Sequence, residues 1–135
     1  MTLLYMLDTN ICVYVLNGAR PGLVDRFSAE AAGLCISSIT LGELWYGIEK
    51  SASTRRQFNV AGLGRLTSRL QVLPFDYRAA ADFGDIRASL ERAGTPCGAY
   101  DLMIGAHARS LGLTLVANNR REFDRMPGLR VENWV

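Results

Sequence analysis

Lysine is almost missing from this chain. Of 15 basic residues only Lys50 is a lysine and the others are arginines. The planar guanidinium fork suits phosphate better than an ammonium does. Two origins stay open for the bias, a GC-rich genome that favours arginine codons or selection for phosphate contacts. The net charge of +2 and the isoelectric point near 8.6 are too mildly basic to argue for nucleic acid alone. Cysteine is also scarce: Cys12, Cys35 and Cys97 are odd in number, widely spaced and form no C-x-x-C pair. That excludes a disulfide framework and a thiolate zinc site, and fits a reducing cytoplasm. No apolar run reaches membrane-spanning length, and Asp8 interrupts the apolar N-terminus too early for a signal peptide, so no membrane segment is expected.

With 49% apolar and 21% charged residues the composition is that of an ordinary globular protein. A length of 135 residues suits one domain, 1–135, able to bury a core unaided. Leu3 to Leu7 reads as a buried strand feeding a helix that ends at Asn17-Gly18. A helix after Pro21, a strand over 34–36, a helix from Thr40 to about Ser51 and a helix carrying Phe58, Leu63, Leu66 and Leu70 follow. A third strand over 72–75 contains Pro74, which places it at a sheet edge. Helices over 77–93 and 100–111, a strand over 113–116, a turn at Asn118-Asn119, a short helical piece over 121–125 and a last strand over 130–134 complete the chain. Strands separated by helices imply an α/β fold with a central, mostly parallel sheet of about five strands, covered on both faces. In such sheets ligands bind beyond the carboxyl ends of the strands, where strand order reverses.

Three acids stand where that edge would be: Asp8 in LLYMLDTN, Glu43 in SSITLGEL and Asp101 in GAYDLMI. Each also has an ordinary structural reading. Asp8 is placed to cap a helix, Thr40-x-x-Glu43 matches a capping box, and Asp101 sits in a first turn where the helix dipole favours a negative charge. Against this, a carboxylate at the end of a buried strand is costly unless paired or bound to a cation. His107 lies about 240° around its helix from Asp101 and reads as structural. Asn118 and Asn119 are ordinary turn residues, and Arg120, Arg121 and Arg125 form either a solvated face or a phosphate-binding strip.

Taken together, MLDTNIC at 6–12, SSITLGELWYG at 37–47, GAYDLMIGAHA at 98–108, LVANNRREF at 115–123 and GLRVENW at 128–134 resemble the PIN-domain ribonucleases, and within them the VapC toxins of type II toxin-antitoxin modules. The resemblance spans the whole chain and implies a PIN-like three-layer α/β/α sandwich. Carried over position by position, it makes Asp8, Glu43 and Asp101 ligands of magnesium, or of manganese. The fourth acidic position of many relatives falls on Asn119, which offers a carbonyl oxygen but no charge. Glu122 is placed to supply the missing charge or to be plain surface. Ala117 stands where relatives often have threonine.

The implied activity is metal-dependent hydrolysis of RNA, a transfer RNA or a ribosomal RNA loop, which blocks translation. Asn119 would serve the attacking water or the substrate, and Asn118, Arg120 and Arg121 would be substrate contacts. The implied partners are a VapB-like antitoxin that covers the groove and a second copy in a homodimer. Two other classes remain open from residues alone. One is a metal-dependent phosphatase or DNA nuclease, although Asp8-Thr9-Asn10 lacks the second acid of an Asp-x-Asp pair. The other is an inert RNA-binding domain, whose retained carboxylates would repel phosphate without benefit.

Overall fold

The computed structural model describes residues 2–135. Five short strands, β1 (Tyr5–Leu7), β2 (Leu34–Ser37), β3 (Gln71–Leu73), β4 (Thr114–Val116) and β5 (Arg130–Glu132), form one sheet in the order β3-β2-β1-β4-β5. Every pairing is parallel. Six helices cover it: α1 (Thr9–Asn17), α2 (Pro21–Glu30), α3 (Ser38–Lys50), α4 (Arg56–Thr67), α5 (Tyr77–Arg92) and α6 (Ala99–Ser110). This is the expected α/β sandwich, and β3 lies at the edge that Pro74, just past its end, requires. None of the helices is long and apolar enough to cross a membrane.

Strand alternation builds two cores. Met6, Cys35 and Leu115 face α5 and α6, where Ile86, Leu90, Leu102, Ile104, Phe123 and Met126 are buried. Their chain neighbours Leu7, Ile36 and Val116 face the opposite layer, with Ile11, Leu23, Phe27, Leu44, Ile48, Leu63 and Leu66. A period of two on buried strands thus feeds two helical layers, so the strands read as continuous apolar runs. The second half of α6 is buried from Ile104 through Ala108, which explains why its sequence is apolar nearly all round.

One local expectation is corrected. Helix α3 starts at Ser38, not Thr40, and its N-cap is Ser37, whose Oγ accepts from the Ile39 N–H at 3.0 Å. Thr40 is fully buried inside the helix, so Thr40 and Glu43 do not form a capping box. The physical reason is that β2 runs through Ser37, so the first hydroxyl past the apolar residues captures the free amide. The same Ser37 Oγ is hydrogen-bonded to Nδ1 of buried His107 at 2.8 Å. Burial lowers the His107 pKa, so the ring is neutral at pH 7. Ser37→Ala removes a cap and orphans a buried ring nitrogen, and should cost about 1–3 kcal/mol in urea unfolding. A loss well under 1 kcal/mol would show that water replaces the hydroxyl there.

Candidate active site

The order of strands reverses between β1 and β4, and the site lies at their carboxyl ends, where α3 and α6 also reach. Asp8 follows β1 directly, and its N–H donates to the Val116 carbonyl at 3.0 Å, which locks the end of β1 to the end of β4. Its carboxylate caps α1 by accepting from the Ile11 N–H at 2.8 Å. Only 4% of the residue is exposed. Burial pushes its pKa up to about 6; the Ile11 bond opposes that rise and the Glu43 charge adds to it.

Glu43 reaches the same place from the second turn of α3. Thr9, the first residue of α1, donates its hydroxyl to Glu43 Oε1 at 2.5 Å and also stands 3.4 Å from the Thr40 hydroxyl. Thr9 therefore fixes Glu43 beside Asp8. Nothing in the local sequence marked Thr9, because the contact joins residues 34 apart in the chain.

Asp101 enters in the first turn of α6 and is half-buried. Its pKa is pushed up to about 7, first by burial, then by a Glu122 carboxylate close enough to share a proton with it, and further by the charges of Asp8 and Glu43. Acids from residues 8, 43, 101 and 122 are therefore one electrostatic unit. Asp101 thus feels the charges of Asp8 and Glu43, and Glu122 is its immediate neighbour.

The other candidates are more peripheral. Asn119 is exposed, and its Oδ1 accepts from the Arg121 N–H at 3.3 Å in the turn that follows β4. Asn118 donates to the Tyr14 hydroxyl at 3.3 Å and accepts from the Asn133 amide at 3.5 Å. Arg120 is paired with Asp124 at 3.1 Å, both about half-exposed, an arrangement worth little in water. Ala117 is fully buried, and its N–H donates to the Glu132 carbonyl at 2.9 Å.

Among the described residues no three acids, histidines or cysteines are already gathered to hold an ion. What links the acids is charge: the carboxylates of Asp8 and Asp101, their pKa values raised by burial and by neighbouring negative charge, are hard oxygen donors of the kind a divalent cation relieves. Magnesium in such settings takes one or two carboxylates and completes its shell with water and substrate phosphate. The donor chemistry of Asp8, Glu43 and Asp101 fits that requirement.

A family model described as the PIN domain matches residues 5–129. The chain is 49% identical over 130 residues to a tRNA(fMet)-specific endonuclease VapC of Salmonella typhimurium, covering 96% of this chain and 97% of that protein. It is 48% identical over 131 residues to a ribonuclease VapC2 of Haemophilus influenzae, covering 97% and 98%. Among solved structures it superposes on DNA-bound VapBC from Salmonella typhimurium with a TM-score of 0.94 at 48% identity, over 99% of this chain and 100% of that one. VapBC2 from Rickettsia felis, bound to a promoter DNA fragment, gives 0.91 at 38% identity, over 98% and 100%.

Proposed function

This chain belongs to the PIN-domain family and, within it, to the VapC ribonucleases, and we propose that it is the toxin of a type II toxin-antitoxin pair. It is an endoribonuclease that cuts RNA phosphodiester bonds and is neutralised by a VapB-like antitoxin, the arrangement carried by the relatives crystallised as VapBC complexes. The tRNA(fMet) specificity of the Salmonella relative supports a transfer RNA as substrate. We further propose that the chain works as one PIN domain over 1–135, in the cytoplasm, as a homodimer.

The observation that carries the chemistry is that buried Asp8, at the carboxyl end of β1, lies beside Glu43, which Thr9 holds by a hydrogen bond, with the Asp101 carboxylate close enough to feel both charges. We assign Mg2+, with Mn2+ as an alternative, to these three carboxylates. Bound there, the ion supplies charge neutralisation at the phosphate and a more acidic water. The Ile11 bond fixes one oxygen of Asp8 and leaves the other for the cation. Thr9 orients Glu43 in the same way. Glu122 adds negative charge beside Asp101, offsetting the lack of an acid at Asn119. Asn119, Asn118, Arg120 and Arg121 stand on the substrate side, where the amides donate to RNA or water and the guanidiniums meet phosphate.

Incubating the purified protein with total cellular RNA should give a few discrete cuts in Mg2+ and none in EDTA, with Mn2+ restoring them. Sequencing the new ends identifies the target. Cleavage that persists undiminished in EDTA would sink the metal assignment while leaving the nuclease standing.

A further inference from the structure

A second feature shares Glu43 with the acids. Ile39, Gly42, Glu43 and Tyr46 share one face of α3, at helical spacings of three and four. With Ser38 and with Tyr100 from the start of α6 they enclose a cleft of about 610 Å³, in the size range of sites for small organic ligands. Its two aromatic walls are open: Tyr46 is 66% and Tyr100 60% exposed. At Gly42, which lines the cleft, an added Cβ would meet nothing within 4 Å. Lys50, the one lysine of the chain, holds its ammonium 5.2 Å from the centre of the Tyr46 ring.

Taking the ribonuclease reading as its base, we propose that Tyr46 and Tyr100 form a stacking platform for an unpaired base of the RNA next to the scissile phosphate. Glu43 belongs both to the acid set and to this cleft, and Tyr100 immediately precedes Asp101 in α6. An RNA strand with its phosphate at the acids therefore has a neighbouring nucleotide within reach of the cleft. Two exposed rings flanking a small empty space are the usual means of holding a splayed base, because every base has a π face. The Lys50 ammonium adds a positive charge at the margin of an otherwise acidic site, where the next phosphate of the strand would pass. A cleft of this kind selects for unpaired nucleotides and excludes duplex, which gives the enzyme a preference for loops without reading base edges.

The test uses the full protein and its Tyr46→Ala, Tyr100→Ala and Tyr46→Phe variants, with circular dichroism to confirm folding. A short single-stranded RNA carrying 2-aminopurine is titrated in EDTA, where it stays intact, and cleavage of a transfer RNA mixture is followed in Mg2+. Each alanine variant should bind the fluorescent RNA about 10-fold more weakly and show a KM raised by the same factor, with kcat unchanged. Tyr46→Phe, which keeps the ring, should match the wild type. Alanine variants that bind and cut as the wild type does overturn the platform. So does a fall in sedimentation mass in those variants that fully accounts for the weaker binding, because the tyrosines would then belong to a contact between two copies. Wild-type protein that quenches the probe but never cleaves RNA instead overturns the ribonuclease reading beneath it.

Discussion

Asp8→Asn should abolish RNA cleavage and, at the same time, make the protein more stable. The two effects have one cause. Asparagine keeps a side-chain oxygen to accept the Ile11 N–H, so the start of α1 survives, but the negative charge held at 4% exposure is gone. The wild-type carboxyl has its pKa raised to about 6, so the folded protein holds a proton there that the unfolded chain releases. Stability therefore falls as pH rises from about 4 through about 6, and by neutral pH the full penalty is present. Removing the charge should return roughly 1–3 kcal/mol at pH 7, and almost none near pH 4 where the wild type is already protonated. Activity should drop at least about 100-fold, since loss of a group that merely orients a ligand already costs 10 to 100-fold. Magnesium gives an independent readout: it should raise the melting temperature of the wild type and leave the variant unmoved. A variant that melts lower than wild type at pH 7, or still responds to magnesium, would remove Asp8 from the proposed ion site.

That opposition between stability and activity also shows what was legible in the sequence. Asp8 could be located because a strand end followed by a helix start is a local pattern, and Asp101 because a Gly/Pro loop followed by an apolar helix is one too. The cap and the site are one position here, so the structural reading of Asp8 did not compete with the functional one. Glu43 was singled out beside Asp8 and Asp101 from its local setting, but the capping-box explanation for it failed because Ser37 caps α3 one turn earlier. Thr9 against Glu43 and Glu122 against Asp101 were beyond local reading, since each pair is joined only when separate crossovers bring the segments together. Strand ends were misjudged by one or two residues for a similar reason. The paired ladder of β1 starts at Tyr5, although Leu4 still bonds the Gly33 carbonyl and the Thr114 N–H, and the ladder of β5 ends at Glu132, opposite Val116 of β4. Asn119 and Arg120 were singled out for their place after a strand, but contacts with Arg121 and Asp124 are what hold them.

Phe123→Ala should cost about 3–5 kcal/mol, the largest loss of stability among the substitutions considered. Phe123 is 1% exposed and belongs to the core between the sheet and α6, together with Met126. That core has no slack. Gly105 of α6 lies so close to Met126 that an added Cβ would collide with its Sδ, so the loop is seated directly on the helix backbone. A second tie is ionic. Arg109 of α6 donates to Asp82 at 3.0 Å, to Asp85 at 2.7 Å and to the Pro127 carbonyl at 2.9 Å, which pins the far end of the same loop. Its partners are partly solvated, Asp85 at 65%, so Arg109→Met should cost only about 1–2 kcal/mol. The apolar tie therefore dominates. Glu122 sits next to Phe123 on this loop, and its place beside Asp101 depends on the ring being buried. Phe123→Ala and Glu122→Gln should then be non-additive in magnesium affinity, the second change doing little once the first has been made. Urea unfolding and magnesium titration of the two single variants and the double variant give both quantities. Additive losses in affinity would mean that the loop holds Glu122 in place without Phe123.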